Sequence, residues 1–238
     1  MSGTAFNNIT LNDKSFRKTV SGEQSQTTAD PLNVVIVNAA KLSRTYYKDV
    51  YDPNNPSAPT CWSSDTMLPS ADVPLHQRQA NRCMSCTQNI KGSSIGGGRA
   101  CRYSQRLAVI FEGQMDTIYQ LRIPATSIFG KEREGNMPMQ AYAKYLHRHK
   151  TKSISVVTQI SFDAKSDTSK LFFKALRPLK DEELEQALKQ KSSPAASTAA
   201  LQTVVVSDET AMDKSPFKVM DGFKYKENDN GGSQDTFN

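Results

Sequence analysis

Residues 61–101 read CWSSDTMLPSADVPLHQRQANRCMSCTQNIKGSSIGGGRAC, and this stretch contains every cysteine of the 238-residue chain. The cysteines are Cys61, Cys83, Cys86 and Cys101, in the spacing C-x21-C-x2-C-x14-C. The C-x2-C pair is typical of a zinc knuckle. No convincing strand or helix pattern interrupts the stretch, and a bound metal can replace the missing hydrophobic core of such a segment. The stretch therefore predicts an element that is organised by a metal.

Two chemical interpretations of the four thiols are open. Four cysteines form two disulfides in an oxidising compartment, whereas an intracellular protein uses them to bind a metal or keeps them as free thiols. The first twenty residues lack the apolar region of a secretory signal, which favours a structural Zn²⁺ held by Cys61, Cys83, Cys86 and Cys101. His76 is an alternative ligand in place of Cys61, because the gap before Cys83 is long. The motifs of catalytic zinc sites are missing from the sequence.

The same stretch lies in a region without negative charge. No acidic residue occurs between Asp72 and Glu112, and Trp62, the single tryptophan, follows the first cysteine. Six cations occupy the acid-free region: Arg78, Arg82, Lys91, Arg99, Arg102 and Arg106. Cations beside stacking aromatics are typical of proteins that bind single-stranded nucleic acid.

The charge of the whole chain is unevenly distributed. The formal net charge is +6, but residues 41–180 carry 21 Lys/Arg against 10 Asp/Glu, and residues 181–238 carry 6 against 11. A basic body with an acidic tail is expected where the body binds a polyanion and the tail competes with it or recruits partners. No apolar run is long enough to cross a bilayer, so we expect a soluble, intracellular protein without membrane contact.

Apolar periodicity predicts the regular elements. A helix is expected over 137–149, because Met139, Tyr142, Ala143 and Leu146 fall on one helical face. Strands are expected over 32–37, 44–51, 106–111, 117–123, 153–162 and 170–176.

The order of these elements predicts a mainly β fold with a minor α content. An OB-like Greek-key barrel of five to six strands with one helix fits it, with a zinc-stabilised loop insertion and a disordered acidic tail. A β-sandwich that does not bind nucleic acid is the alternative architecture. We expect the following segments: a flexible N-terminal arm (1–30), the OB-like nucleic-acid-binding domain (31–180) with a zinc-ribbon-like insertion (55–103), a short helix (181–190) and an acidic flexible tail (191–238).

Two parts of the chain resemble single-stranded-DNA-binding proteins of tailed phages. One comprises CWSSD at 61–65, CMSCTQNIKGS at 83–93 and RACR at 99–102; the other is IPATSIFG at 123–130. The resemblance covers about residues 33–180 and implies a phage protein acting in the host cytoplasm. The layout also resembles the T7-type protein, in which an OB core carries an acidic tail ending in an aromatic residue. Here Phe237 is penultimate and Lys224 and Lys226 dilute the acids, so the tail departs from that pattern.

These observations predict a non-enzymatic protein that coats single-stranded DNA in phage replication or recombination. A zinc-ribbon transcription or adaptor protein and a virion structural protein are the alternatives, and a homo-oligomer is compatible with the sequence. Phage DNA polymerase or helicase is the expected partner of the tail, through Phe237. The expected nucleic-acid-binding residues are Tyr46, Tyr47, Lys48, Trp62, Arg82, Lys91, Arg99, Arg102, Tyr103 and Arg106.

Overall fold

Ten β-strands of one curled, half-barrel sheet dominate the part of the chain that the structure describes. This computed structural model describes residues 7–20, 23–28, 31–49 and 58–201. The strands are β1 Asn8–Asn12, β2 Ser15–Val20, β3 Glu23–Thr28, β4 Leu32–Ala39, β5 Ser43–Tyr46, β6 Cys61–Ser63, β7 Arg102–Phe111, β8 Gln114–Pro124, β9 Val156–Phe162 and β10 Leu171–Pro178. The helices are α1 Ala125–Ile128, α2 Met139–Arg148, α3 Asp181–Lys191 and α4 Pro194–Ala200. None of these helices is long and apolar enough to cross a membrane.

Strand β7 lies in the middle of the sheet and pairs with β4, β5 and β8. The strand order is β10-β9-β4-β7-β8-β1-β2-β3, and β5 pairs with both β7 and β6. Strands β4 and β5 follow each other along the same edge of β7, with Ala39 opposite Leu107 and Ser43 opposite Ser104. The pairings are antiparallel except for the short parallel contact between β1 and β8. The chain from β4 to β5 therefore runs as one interrupted strand, and its far end reaches β6.

Both faces of the sheet are covered, which explains the apolar run of β4. Val34 and Ile36 face a core closed by α1 and α2, whereas Val35 and Val37 face a smaller core closed by α3 and α4. A strand buried on both faces needs apolar residues at consecutive positions instead of alternating ones. The predictions of strands at 32–37, 106–111, 117–123 and 170–176 and of a helix at 137–149 are confirmed, with ends shifted by a few residues.

Helix α3 matches the short helix predicted at 181–190, and an ion-pair network attaches it to the sheet. Arg177 of β10 donates to Glu112 and to Glu183, each at 2.7 Å. The hydrogen bond from Arg177 lowers the pKa of Glu183 to about 2, and the backbone N–H of Lys180 acts in the same direction. Glu183 thus closes the first turn of α3 while it holds the helix on β10.

The prediction of a flexible N-terminal arm is wrong for the described residues of that region. Strands β1 to β3 form a meander that extends the sheet beyond β8. Ile9 and Phe16 are buried, and the rings of Phe16 and Phe162 lie 4.4 Å apart. Leu11 and Val20 also pack against this core from β1 and β2, so a few apolar side chains attach these two strands to the sheet. The polar composition of these residues therefore suggested disorder, although they form paired strands.

The number of strands and the start of the tail also differ from the predictions. The sheet has ten strands where five or six were predicted, and residues 194–200 are helical where a flexible tail was predicted. Pro194 occupies the first turn of α4, and the Ser193 side chain accepts a hydrogen bond from the N–H of Ala196. Ala196 and Ala199 pack on the sheet. The remainder of the predicted tail, 202–238, lies outside the described residues.

We predict that Phe16→Ala lowers the free energy of unfolding by about 3–5 kcal/mol, the usual cost of truncating a buried aromatic ring. Denaturant unfolding followed by circular dichroism measures the change. Arg17→Ala is the matched control, because Arg17 is the exposed neighbour on the same strand. Equal stabilities for the two variants would show that the N-terminal strands are detached from the core.

Candidate metal centre and nucleic-acid interface

Strand β5 brings together the two ends of residues 61–101, which we call the cysteine segment. On one edge of β5, Tyr46 is opposite Cys61; on the other edge, Thr45 is opposite Arg102, the residue after Cys101. Since neighbouring strands lie about 4.8 Å apart, the two ends of the segment are separated by roughly 10 Å. The long sequence spacing between the first and last cysteines therefore does not separate them in space.

Tight turns shape the interior of the cysteine segment. Short 3₁₀ turns occur at Leu75–Gln77, Cys83–Ser85 and Thr87–Asn89. The N–H of Cys83 donates to the carbonyl of Met67 at 2.9 Å, and the N–H of Cys101 donates to the carbonyl of Gln88 at 2.8 Å. Gly97 adopts a positive φ of 73°, which favours glycine, in the turn that returns the chain to Cys101.

The four cysteines line one small pocket. Its cavity volume is ≈ 20 Å³, enough for an occupant of atomic size. The residues that line it are Arg44, Tyr46, Cys61, Trp62, Ser63, Pro69, Gln79, Ala80, Cys83, Cys86, Gln88 and Cys101. Cys61 is among them and His76 is not, so the geometry favours the all-cysteine set over the alternative with His76.

Burial keeps thiols of this pocket neutral. It raises the pKa of Cys101 to about 12, against the opposing effect of Arg44. Burial also raises the pKa of Cys61, where a backbone N–H bond from Gln79 acts in the opposite direction. The charges of Cys83 and Cys86 raise the pKa of both groups further. A ligand that binds thiolates must therefore displace protons.

The donor set suits Zn²⁺, although the side chains are not arranged as a finished site. Soft thiolates in a small, closed pocket are the ligands of structural zinc. The four cysteines are free thiols. In the described parts of the chain, no group of three or more His, Cys, Asp or Glu side chains forms an arrangement that could hold a metal ion as it stands. Ligation by these residues requires the four thiol groups to close on a common point.

Trp62 belongs to the packing of the pocket, and its burial does not favour the predicted stacking on bases. Its side chain is 6% exposed and packs with Cys61 and Val73. Its indole N–H donates to the carboxylate of Asp72 at 3.2 Å. The ring stabilises the segment from inside, because a buried indole with a bonded N–H has no free face for a ligand.

The other predicted nucleic-acid-binding residues divide into exposed and buried groups. The exposed ones are Tyr47, Lys48, Arg82, Lys91, Arg99 and Arg102. Tyr46 is half-buried against Trp62, and the ring of half-buried Tyr103 lies against Arg44 and Phe129. Phe237, the predicted partner contact, lies outside the described residues.

Arg106, a predicted phosphate contact, is nearly buried in the sheet. Its side chain is 8% exposed, and burial lowers its pKa to about 10, with a further contribution from the charge of Arg122. Within the described residues its Nε atom has no hydrogen-bond partner. Arg106 is thus a nearly buried cation that lies beside a second cation.

Arg122 is the cation that the sequence analysis missed. It is exposed on β8 directly opposite Arg106 of β7, and Arg102 lies on the same face of β7 four residues earlier. We call Arg102, Arg106 and Arg122 the strand patch. Like charges directly opposite each other destabilise a sheet, and an anion bound between them removes that cost. The position of Arg122 on an alternating strand was visible in the sequence, but its partner was not.

Exposed apolar side chains form a second feature that the sequence analysis missed. Six of them lie in the cysteine segment, interleaved with its exposed cations: Met67, Leu68, Leu75, Met84, Ile90 and Ile95. Their exposed fractions range from 52% to 100%. Apolar residues in a segment without strand or helix periodicity give no signal of burial, so their exposure could not be predicted.

No protein-family model, curated protein or solved structure matches this chain.

We predict that Trp62 reports on the order of the cysteine segment. Because the ring is buried, its fluorescence in the native protein should be blue-shifted and weakly quenched by acrylamide. Asp72→Ala should shift the emission towards the red by removing the partner of the indole N–H, whereas Asp167→Ala, far along the chain, should leave it unchanged. Red-shifted, readily quenched emission from the native protein would contradict the burial of Trp62.

Proposed function

We propose that the protein binds single-stranded DNA without sequence preference and without catalysing a reaction on it. The carrying observation is the strand patch, where Arg106 and Arg122 are directly opposed and Arg106 is almost buried. The pKa of Arg106 is lowered by burial and by the charge of Arg122, and among the described residues no carboxylate is found among the groups that act on it. A phosphate backbone is the polyanion that neutralises a row of cations of this kind.

Single strands suit this surface better than duplex DNA. Exposed Tyr47 lies just beyond the end of β5, and Ile90 and Ile95 are exposed in the same segment as Lys91. Unstacked bases present faces that pack on aromatic and apolar side chains, while a duplex hides them. The interleaving of cations with exposed apolar groups supports a ligand that has both phosphates and free bases.

The proposed role of zinc is structural. When bound by Cys61, Cys83, Cys86 and Cys101, Zn²⁺ cross-links parts of the segment that have few regular hydrogen bonds. These residues would hold Lys91, Arg99 and the other exposed cations of the segment in fixed positions. Arg102 joins the segment directly to the strand patch.

An OB-type barrel is the finer fold that we propose for the curled sheet. OB folds bind oligonucleotides on a strand face and on adjoining loops, and here the strand patch and the cysteine segment adjoin. The resemblance to tailed-phage proteins supports a role in phage replication or recombination in the host cytoplasm. Recruitment of a polymerase or helicase through the tail and Phe237 is part of the same proposal.

A zinc-ribbon adaptor that binds a protein partner is the second candidate. The exposed apolar side chains of the cysteine segment, from Met67 to Ile95, favour it, because such groups also form protein interfaces. An adaptor would bind its partner through the segment alone. The two candidates differ in the effect of Arg122→Gln, which removes a charge outside the segment.

We predict one zinc ion per chain, measured by elemental analysis of protein purified without chelator. Cys83→Ser should abolish zinc binding, because three thiolates and a hydroxyl form a much poorer site. Ser85→Ala, which changes an exposed residue between the two knuckle cysteines, is the control and should retain the metal. Metal-free wild-type protein would overturn the zinc proposal.

We predict that the affinity for single-stranded DNA falls steeply with salt, and that Arg122→Gln reduces the slope of log K against log salt by about 0.7. Arg99→Gln should have an effect of the same size if the cysteine segment contributes phosphate contacts. Lys144→Gln, at an exposed position of α2, is the control with an equal change of net charge. Fluorescence anisotropy of a labelled oligonucleotide at several salt concentrations measures all three.

Two results would contradict this proposal. One is equal affinity of the wild-type protein for single-stranded and duplex DNA at low salt. The other is the same salt slope for Arg122→Gln and Lys144→Gln, since general loss of positive charge would then explain both.

A further inference from the structure

Arg44 is a buried cation at the cysteine pocket. It lies on β5 between β6 and β7, with Ser63 and Tyr103 as its directly opposed neighbours. Its side chain is 1% exposed, and it lines the same cavity as the four cysteines. Because β5 is paired on both edges, Arg44 lies in the interior of the sheet and not on an edge strand.

The guanidinium of Arg44 is only partly satisfied by the described residues. Its Nη2 donates to the hydroxyl of Tyr103 and to the Sδ atom of Met84, and its carbon atom Cζ lies 4.0 Å from the centre of the Tyr103 ring. Within the described residues, Nε and Nη1 have no hydrogen-bond partner. Two N–H-bearing atoms of a permanently charged group are therefore left without an acceptor beside the pocket.

The surroundings of Arg44 offer thiols where a carboxylate would be expected. Among the described residues no Asp or Glu lines the pocket, and the charge of Arg44 acts on Cys101. A buried cation without a counter-charge is strongly unfavourable, because desolvation is not repaid by any ion pair. Neutral thiols are weak acceptors, so they do not supply that counter-charge. An anion in the pocket does.

We propose that Arg44 is the counter-charge of a metal–thiolate centre in this pocket. This inference deepens the zinc proposal and rests on it. Four thiolates and one Zn²⁺ carry a net charge of about −2, and sulfur accepts hydrogen bonds from outer residues in such centres. The free N–H groups on Nε and Nη1 of Arg44 supply donors of this kind, and its fixed charge offsets half of the excess.

Arg78 supplies a second positive charge near Cys61. Its charge acts on Cys61, and its side chain donates to the backbone carbonyls of Val73 and Ala71 at 3.1 Å. Arg78 is half-buried, and its Nε and Nη2 atoms already donate to these two carbonyls. We therefore expect it to contribute less than Arg44. Together the two arginines balance the charge of a tetrathiolate centre.

A comparison of zinc-loaded and metal-free protein tests the inference on the full chain. Arg44→Met keeps the bulk of the side chain and removes its charge, whereas Arg44→Lys keeps the charge. Arg148→Met at the exposed end of α2 is the control. Competition with a chromogenic chelator gives the zinc affinity, and thermal unfolding with and without Zn²⁺ gives the stability of each form. Replacement of Zn²⁺ by Co²⁺ reports the sulfur coordination by its absorption spectrum.

We expect Arg44→Met to lower zinc affinity about 10- to 100-fold, the usual effect of losing an outer partner of the ligands. Arg44→Lys should lower zinc affinity less, and Arg148→Met should leave it unchanged. In the metal-free protein the sign reverses: Arg44→Met should raise the melting temperature, because an apolar group replaces an unpaired buried charge. A residue that serves only packing would destabilise both forms.

Four results separate the possible failures. Unchanged zinc affinity in Arg44→Met overturns the inference, as does a loss of stability, or failure to fold, in its metal-free form. A wild-type protein without zinc overturns the metal centre together with the inference. Absence of single-strand binding by a zinc-loaded wild type that shows the sign reversal contradicts only the proposed function.

Discussion

The pairing of β5 with a strand on each edge is the constraint on which the candidate site depends. It places Cys61 and Cys101 on either side of one strand and encloses Arg44 between them. Closing a loop of this length costs conformational entropy, and the sheet bears that cost through hydrogen bonds that are independent of any metal. The pocket is therefore formed in outline by the sheet, while the interior of the cysteine segment relies on turns and on its occupant.

The sequence predicted the elements whose pattern is local. Strands β4, β7, β8 and β10 follow from apolar runs or alternation, and α2 follows from helical spacing. The convergence of the four cysteines was predicted because a metal needs them together. The strands β1 and β2 were missed because their burial rests on a few apolar side chains, chiefly Ile9 and Phe16, within a polar composition typical of disorder.

The burial of residues at the site could not be predicted, because it depends on strand pairing that the sequence does not reveal. Trp62 and Arg106 lie beside exposed cations in the sequence, yet the structure buries both. Arg44 and Arg122 gave no local signal, because their importance comes from what lies opposite them across β5, β7 and β8. Trp62 and the buried Arg44 line the cysteine pocket, while Arg122 and the exposed cations of the cysteine segment lie on the surface.

We propose that the metal centre supports the single-strand-binding surface, and removal of the metal tests that link most directly. The affinity for a labelled single-stranded oligonucleotide would be measured for the same preparation before and after chelation of zinc, with circular dichroism to follow the sheet. We predict a clear loss of affinity, recovered on addition of Zn²⁺, while the β signal persists. Unchanged affinity after complete removal of the metal would contradict the account.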